Sequence, residues 1–164
     1  MPPATAPGAP PTVPIRNRLL AILAPGDLAR LRPHLEPVAL GLGEAPTEPG
    51  RPIAHVLFPE AGIVSLLAVA ADKRRRIEAG MIGREGMVGL PVVLGADAEL
   101  HETVVQADMQ GWRLASSALR RAMADSSALR GVLLRTSKPS WPRPRTRCWP
   151  TTRGGWTRAW RAGF

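Results

Sequence analysis

The sequence predicts a mostly β domain with flanking helices, its strands closed into a small barrel or jelly roll. Three observations lead there. Apolar residues recur at helical spacing just after residue 16, short β-type runs alternate with turn signals from Pro37 onward, and helical spacing returns after residue 115. Several short strands at close spacing are what a sandwich or barrel requires, because closure removes exposed strand edges.

The elements follow in chain order. In "RNRLLAIL" and "PGDLARLRPHL", Leu19, Leu20 and Leu23 and then Leu28, Leu31 and Leu35 fall at helical spacing in two short amphipathic helices. Pro25 suits a first turn, where the N–H it lacks would have no partner. The runs "VALGL", "HVLF", "IVSLLAV", "RIEAGMI", "TVVQA" and "GWRL" then predict strands, with "EPGRP", "PEAG" and "ADKR" as turns. Finally "ASSALRRAMADSSALRGVLLR" puts Leu119, Ala122 and Met123 on one helical face and Leu129, Val132 and Leu133 on the next, with Ser116 and Asp125 as expected N-caps.

A chain of 164 residues suits one domain with a real core. The single cysteine, Cys148, excludes an internal disulfide and any four-thiolate metal or iron–sulfur site, and fits a reducing compartment. Residues 1–15 begin "MPPATAPGAPPTVP", which lacks the basic start and apolar run of a secretory signal and reads as a disordered leader. No stretch reaches the ~20 apolar residues of a membrane span, so the expected location is the cytoplasm, with no membrane partner.

The formal charge of +9 sits mostly in one place. Residues 136–164 hold seven basic side chains and no acidic one, which leaves fifteen basic against thirteen acidic in residues 1–135. The domain is nearly neutral and the tail is basic.

The glycine-rich stretch "IGREGMVGLPVVLG" invites comparison with a phosphate cradle, in which backbone N–H groups at a helix start point at an anion. Gly83, Gly86, Gly89 and Gly95 fit neither a dinucleotide fingerprint nor a Walker loop. Positive φ and close packing at Gly83, Gly86 and Gly89 are the simpler expectation. Elsewhere no chemistry assembles. His34, His55 and His101 have no partners at metal-ligand spacing, and no serine sits in a nucleophile turn. Glu78 and Glu85 are placed to pair with Arg76 or Arg84, and Lys73 to Arg76 form a charged hairpin tip. No enzyme and no cofactor is indicated.

Taken together and in order, "HVLFPEAGIVSLLAV", "RRIEAGMIGREGMVGLPVVLG", "HETVVQA" and "ASSALRRAMADSSALRGVLLR" resemble the sensor domain of Crp/Fnr-type transcriptional regulators over residues 16–135. The resemblance implies a cyclic-nucleotide-binding-like β-roll, that is, a double-stranded β-helix or jelly roll of eight strands. It also implies a phosphate-binding cassette, a dimerisation helix and a C-terminal helix-turn-helix, so that the parent protein would be a DNA-binding homodimer with a small-molecule effector. By that resemblance the cassette comprises Gly86, Met87, Val88, Gly89 and Leu90, then His101, Glu102 and Thr103.

The cassette is degenerate. Nucleotide-binding relatives place a glutamate after the glycine, for the ribose hydroxyl, and an Arg-Ser/Thr-Ala sequence further on, whose guanidinium forks the phosphate. Here Leu90 replaces the glutamate, His101 the arginine and Glu102 the hydroxyl residue. A buried phosphate without a positive partner costs several kcal/mol of desolvation. The expected function is therefore an effector-binding sensor that does not take cyclic AMP in the usual way. The alternative is a structural or protein-interaction roll with a vestigial pocket.

Residues 136–164 hold four of the five tryptophans, and Pro139, Pro142, Pro144 and Pro150 break any long helix there. One reading is a basic aromatic arm for nucleic acid. The preferred reading is a shifted frame: a Trp codon read one base earlier gives Leu, Val or Met, each Trp-Pro boundary gives Ala, and one lost base at the Arg135–Thr136 boundary suffices. Resequencing the coding DNA around codon 135 tests it. Either way no groove-reading helix pair is expected in the tail. Gel shifts should show equal affinity for palindromic and scrambled duplexes and lose about a thousandfold between low and physiological salt. A sequence preference that survives physiological salt would refute this.

Overall fold

The computed structural model describes residues 14–69 and 76–136. The expected leader up to residue 13, the hairpin tip at 70–75 and the tail beyond 136 lie outside the described residues. The chain runs through helices α1 (Arg18–Ala21) and α2 (Pro25–Leu31), strands β1 (Glu36–Leu40), β2 (His55–Val69), β3 (Arg76–Ile82) and β4 (Glu102–Ala115), and helices α3 (Ser116–Asp125) and α4 (Ser127–Thr136). Single 3-10 turns follow α2 and precede β4. Among the described residues no helix is long and apolar enough to cross a membrane.

The strands form one antiparallel sheet in the order β1-β4-β2-β3. Two of them are far longer than the sequence pattern predicts. "PEAG" is not a turn: β2 runs through it, with register shifts against β4 between Pro59 and Val64. "TVVQA" and "GWRL" likewise belong to the single strand β4. The first half of β2 pairs with the end of β4, which also carries β1, and the second half pairs with the start of β4 and with β3. Among the described residues four strands, the two longest of them bent against each other, thus stand where the resemblance implies eight.

The bend depends on two missing side chains. Gly62 has φ +82°, and a Cβ there would sit on Asp108 O and 2.7 Å from both Ala107 O and Met109 Cα. A Cβ at Gly111 would meet Phe58 O and lie 3.0 Å from Pro59 Cα. At the bulges the two backbones approach too closely for any residue but glycine.

Strand alternation divides the core in two. Val56 and Phe58 of β2 and Leu114 of β4 face the helices, where Leu19, Leu20, Leu31, Leu119, Leu129 and Leu133 are buried against them. Leu57, Val64, Val105 and Met109 point to the other side and form a smaller cluster with Val88. The helical faces read from spacing are the buried ones: Leu19, Leu20, Leu23 and Leu31 early, Leu119, Ala122, Met123, Leu129 and Leu133 late.

The caps differ in part from expectation. Pro25 opens α2. Ser116 does not cap α3: its hydroxyl donates to Ile53 O at 2.6 Å. Asp125 is the last residue of α3, and Ser126 caps α4, its Oγ accepting Leu129 N–H at 3.1 Å. Ser126 is extended, with φ −136°, so its hydroxyl reaches the third helical N–H while Asp125 is still helical. Asn17, not singled out from sequence, caps α1 by accepting Leu20 N–H at 3.0 Å.

Gly62→Ala should lower stability by about 3 kcal/mol, since both a left-handed backbone and a steric overlap oppose it. Gly26→Ala, in α2 with nothing within 4 Å of the new Cβ, should leave stability unchanged or raise it by about 0.5 kcal/mol. Urea denaturation of both variants checks the pair; equal stabilities would mean that the bend does not need its glycine.

Candidate functional site

After β3 the chain turns through Gly83 and Gly86, whose backbones are joined by a 3.2 Å hydrogen bond. It then dives into the core. Met87 and Val88 are 4% and 1% exposed, and Val88 exchanges two backbone bonds with Leu57 at 2.9 and 3.1 Å. Gly89 turns left-handed, φ 88°, into the 3-10 turn Leu90–Val92. The expected positive φ is present at Gly89, and also at Gly95, but not at Gly83 or Gly86. At Gly86 the constraint is space: a Cβ would lie 3.2 Å from Ile82 Cγ2. At Gly89 a Cβ would lie 3.0 Å from Val56 Cγ1 and 3.3 Å from Ile53 Cγ2.

Three successive positions of this turn offer no N–H to an anion. Pro91 has no N–H, and those of Val92 and Val93 bond Gly89 O and Leu90 O at 3.1 and 2.9 Å. Leu90 is partly buried against the main core. The stretch Gly86 to Leu90 therefore packs as a plug between the helices and β2.

His101, Glu102 and Thr103 lie at the start of β4, each with its own partner. Glu99, 2% exposed, accepts the N–H groups of Leu100 and His101 on Oε1 at 2.9 and 3.3 Å, and His101 Nδ1 is 3.7 Å from the same oxygen. Glu102 pairs with Arg76 Nε at 3.0 Å. Thr103 is fully buried, its Oγ1 2.9 Å from Thr47 N and 2.8 Å from Thr47 Oγ1. Arg76 thus answers Glu102 and neither Glu78 nor Glu85. Glu78 accepts the Ser65 hydroxyl at 3.1 Å, and Glu85 accepts Gly83 N–H at 2.9 Å, in place of the arginines expected from spacing.

A cavity of about 490 Å³ opens between β1, the connection from Ala45 to Ala54 and the first residues of β2. Val38, Leu40, Ile53 and Leu57 form its apolar wall, and Glu48, Arg51, His55 and Arg113 bring charge or polarity to it. None of the eight cassette residues lines it. Three of them touch its wall from behind: Val88 bonds Leu57, Gly89 abuts Ile53, and Thr103 bonds Thr47. The same wall is fastened to α3, because Ser116 N–H donates to Ala54 O at 2.9 Å and the Ser116 hydroxyl to Ile53 O. Arg120 of α3 in turn holds the segment after the plug, donating to Ala96 O at 2.9 Å and pairing with Asp97 Oδ1 at 2.6 Å. Among the described residues no three His, Cys, Asp or Glu side chains come together as metal ligands.

Sequence reasoning missed the cavity wall, since 45–54 has neither strand nor helical period. It also missed Asn17, which a capping residue directly before "RLLAIL" could have flagged.

No family model matches the chain, and no curated protein matches it. Solved structures do. The N-terminal domain of a transcriptional regulator from Streptomyces coelicolor superposes with TM-score 0.58 at 19% identity, over 75% of this chain and 86% of that one. The sensor domain of the transcriptional regulator DNR from Pseudomonas aeruginosa gives 0.60 at 17% identity, over 73% and 79%. A regulatory subunit of a cAMP-independent protein kinase A from Trypanosoma brucei, a mutant bound to cAMP in its A site, gives 0.65 at 17%, over 76% of this chain and 44% of that one. The chain has the antiparallel β-roll fold with flanking helices that these sensor and regulatory domains share.

Proposed function

We propose that residues 16–135 are the effector-sensing domain of a Crp/Fnr-type transcriptional regulator, and that the sensor does not hold a cyclic nucleotide through its cassette. The fold shared with regulator sensor domains supports the first part. One observation carries the second: carboxylates stand where a phosphate would need cations. Glu102 replaces a hydroxyl residue and engages Arg76, and His101 lies against the buried Glu99. A phosphate brought there would meet negative charge and would have to displace an ion pair. The fold shared with sensor and regulatory domains supports a regulatory role over an enzymatic one. A DNA-binding homodimer is the parent assembly that this reading implies.

The reading of the roll as a structural module with a vestigial pocket draws on the burial of Met87 and Val88, which makes the cassette a packing element. The cavity beside it favours the sensor.

Calorimetric titration of the chain with cyclic AMP and cyclic GMP at neutral pH should give dissociation constants of about 1 mM or weaker. A value near 1 µM, worth about −8 kcal/mol, would mean that the cassette functions as in nucleotide-binding relatives.

A further inference from the structure

The cavity between β1, the Ala45–Ala54 connection and β2 pairs an aliphatic wall with a charged rim. Val38, Leu40, Ile53 and Leu57 present no polar side-chain atom. At the rim two guanidiniums meet two carboxylates, Arg51 with Glu48 and Arg113 with Glu36, so an anion there is held by the N–H donors these pairs leave open and not by net charge. Arg113 is held in place: Nε and Nη2 both reach Glu36 Oε2 at 2.8 Å. That contact orients the guanidinium and leaves N–H donors for a second acceptor. Arg51 and Glu48, 3.7 Å apart and with side chains 77% and 65% exposed, form a loose pair that costs little to open. The volume lies within the range of small-molecule sites, which combine apolar walls with a few polar groups.

We infer that this cavity binds small amphipathic carboxylates, the aliphatic body against Val38, Leu40, Ile53 and Leu57 and the carboxylate at Arg113 and Arg51. The inference rests on the sensor reading and names its ligand class. It places the ligand beside the glycine-rich cassette and not in it. Binding of an anion here draws on fixed N–H donors, while the chain length is selected by the aliphatic wall. Occupancy presses on Ile53 and Ala54, the carbonyls that receive Ser116 of α3.

Sodium octanoate is the probe and octanamide its uncharged match, titrated into the full chain and followed by amide and methyl NMR. Octanoate should produce saturable one-to-one shifts at Val38, Leu40, Ile53, Leu57 and Ser116, and octanamide should bind about tenfold more weakly, as expected for loss of a charged hydrogen bond. Arg113→Gln should weaken octanoate about tenfold and leave octanamide unchanged. Ala45→Trp, at an exposed position on the cavity wall, should abolish both without lowering the melting temperature, and it serves if Arg113→Gln fails to fold. Equal affinity for the two probes, shifts confined to the exposed Ile77 and Met81 of β3, or no saturable shift at millimolar octanoate would each overturn the inference. A thermal upshift with nucleotides or amino acids but none with octanoate would overturn it while leaving the sensor reading in place.

Discussion

One buried carboxamide fixes the relation between the parts of this domain. Asn17 is fully buried, and its Nδ2 donates to Pro59 O at 2.8 Å and to Gly86 O at 3.0 Å while Oδ1 caps α1. The three segments it joins are the first helix, the bulge of β2 and the turn that leads into the plug. Around it Glu60 Oε1 accepts Arg16 N–H at 2.6 Å and Trp112 Nε1–H at 2.8 Å, and Arg18 N–H donates to Arg84 O at 2.7 Å. A four-residue helix has no stability of its own. It exists because Leu19 and Leu20 are buried and its first turn is capped. Without the amide, the buried Pro59 carbonyl would lose a donor, at about 1–3 kcal/mol, and the partly buried Gly86 carbonyl another. Nothing else in this corner can replace it, because a carboxylate offers no N–H and a hydroxyl only one donor.

That anchoring explains how much of the fold was legible. Helical and strand periods are local, so α2, α3, α4 and the positions of the strands could be read from spacing. The bend could not. "PEAG" has the composition of a turn, and only the facing strand decides that it is a series of bulges: Gly62 and Gly111 let β2 and β4 stay paired where an isolated chain would reverse. The N-cap at Ser126 in place of Asp125 is a one-residue effect of the same kind, settled by backbone angles that adjacent helices impose. For the site, the family pattern pointed to the stretch that packs as the plug and to the start of β4. It said nothing of the cavity, whose wall draws on β1, an irregular connection and one outward residue of β4, Arg113. Those residues share no spacing and meet only through the sheet order.

The plug and the cavity are two sides of one wall. Glycine at position 89 is required by contact with Val56 and Ile53, and Val88 is stitched to Leu57, so the glycine-rich turn supports the strand lining an apolar space. The Gly89 turn is needed for packing, and the side chains at the start of β4 are engaged locally, Glu102 with Arg76 and His101 with Glu99.

For a sensor, what matters is which element feels the ligand differently in two states. Ile53 and Ala54 are the point of convergence. Their carbonyls receive Ser116 at the start of α3, and Ile53 N–H donates to Asp97 O at 2.9 Å, next to the Ala96 carbonyl and the Asp97 carboxylate that Arg120 of the same helix holds. α3 is therefore gripped from two directions, by the cavity wall and by the segment following the plug, and both grips pass through residues that cannot shift independently. A ligand that displaces Ile53 by a few tenths of an ångström must strain the Ser116 bonds or carry α3 with it. α3 is followed directly by α4, with Ser126 serving as the end of one and the cap of the other. What the structure shows is a short covalent and hydrogen-bonded chain from an apolar wall to a helix start.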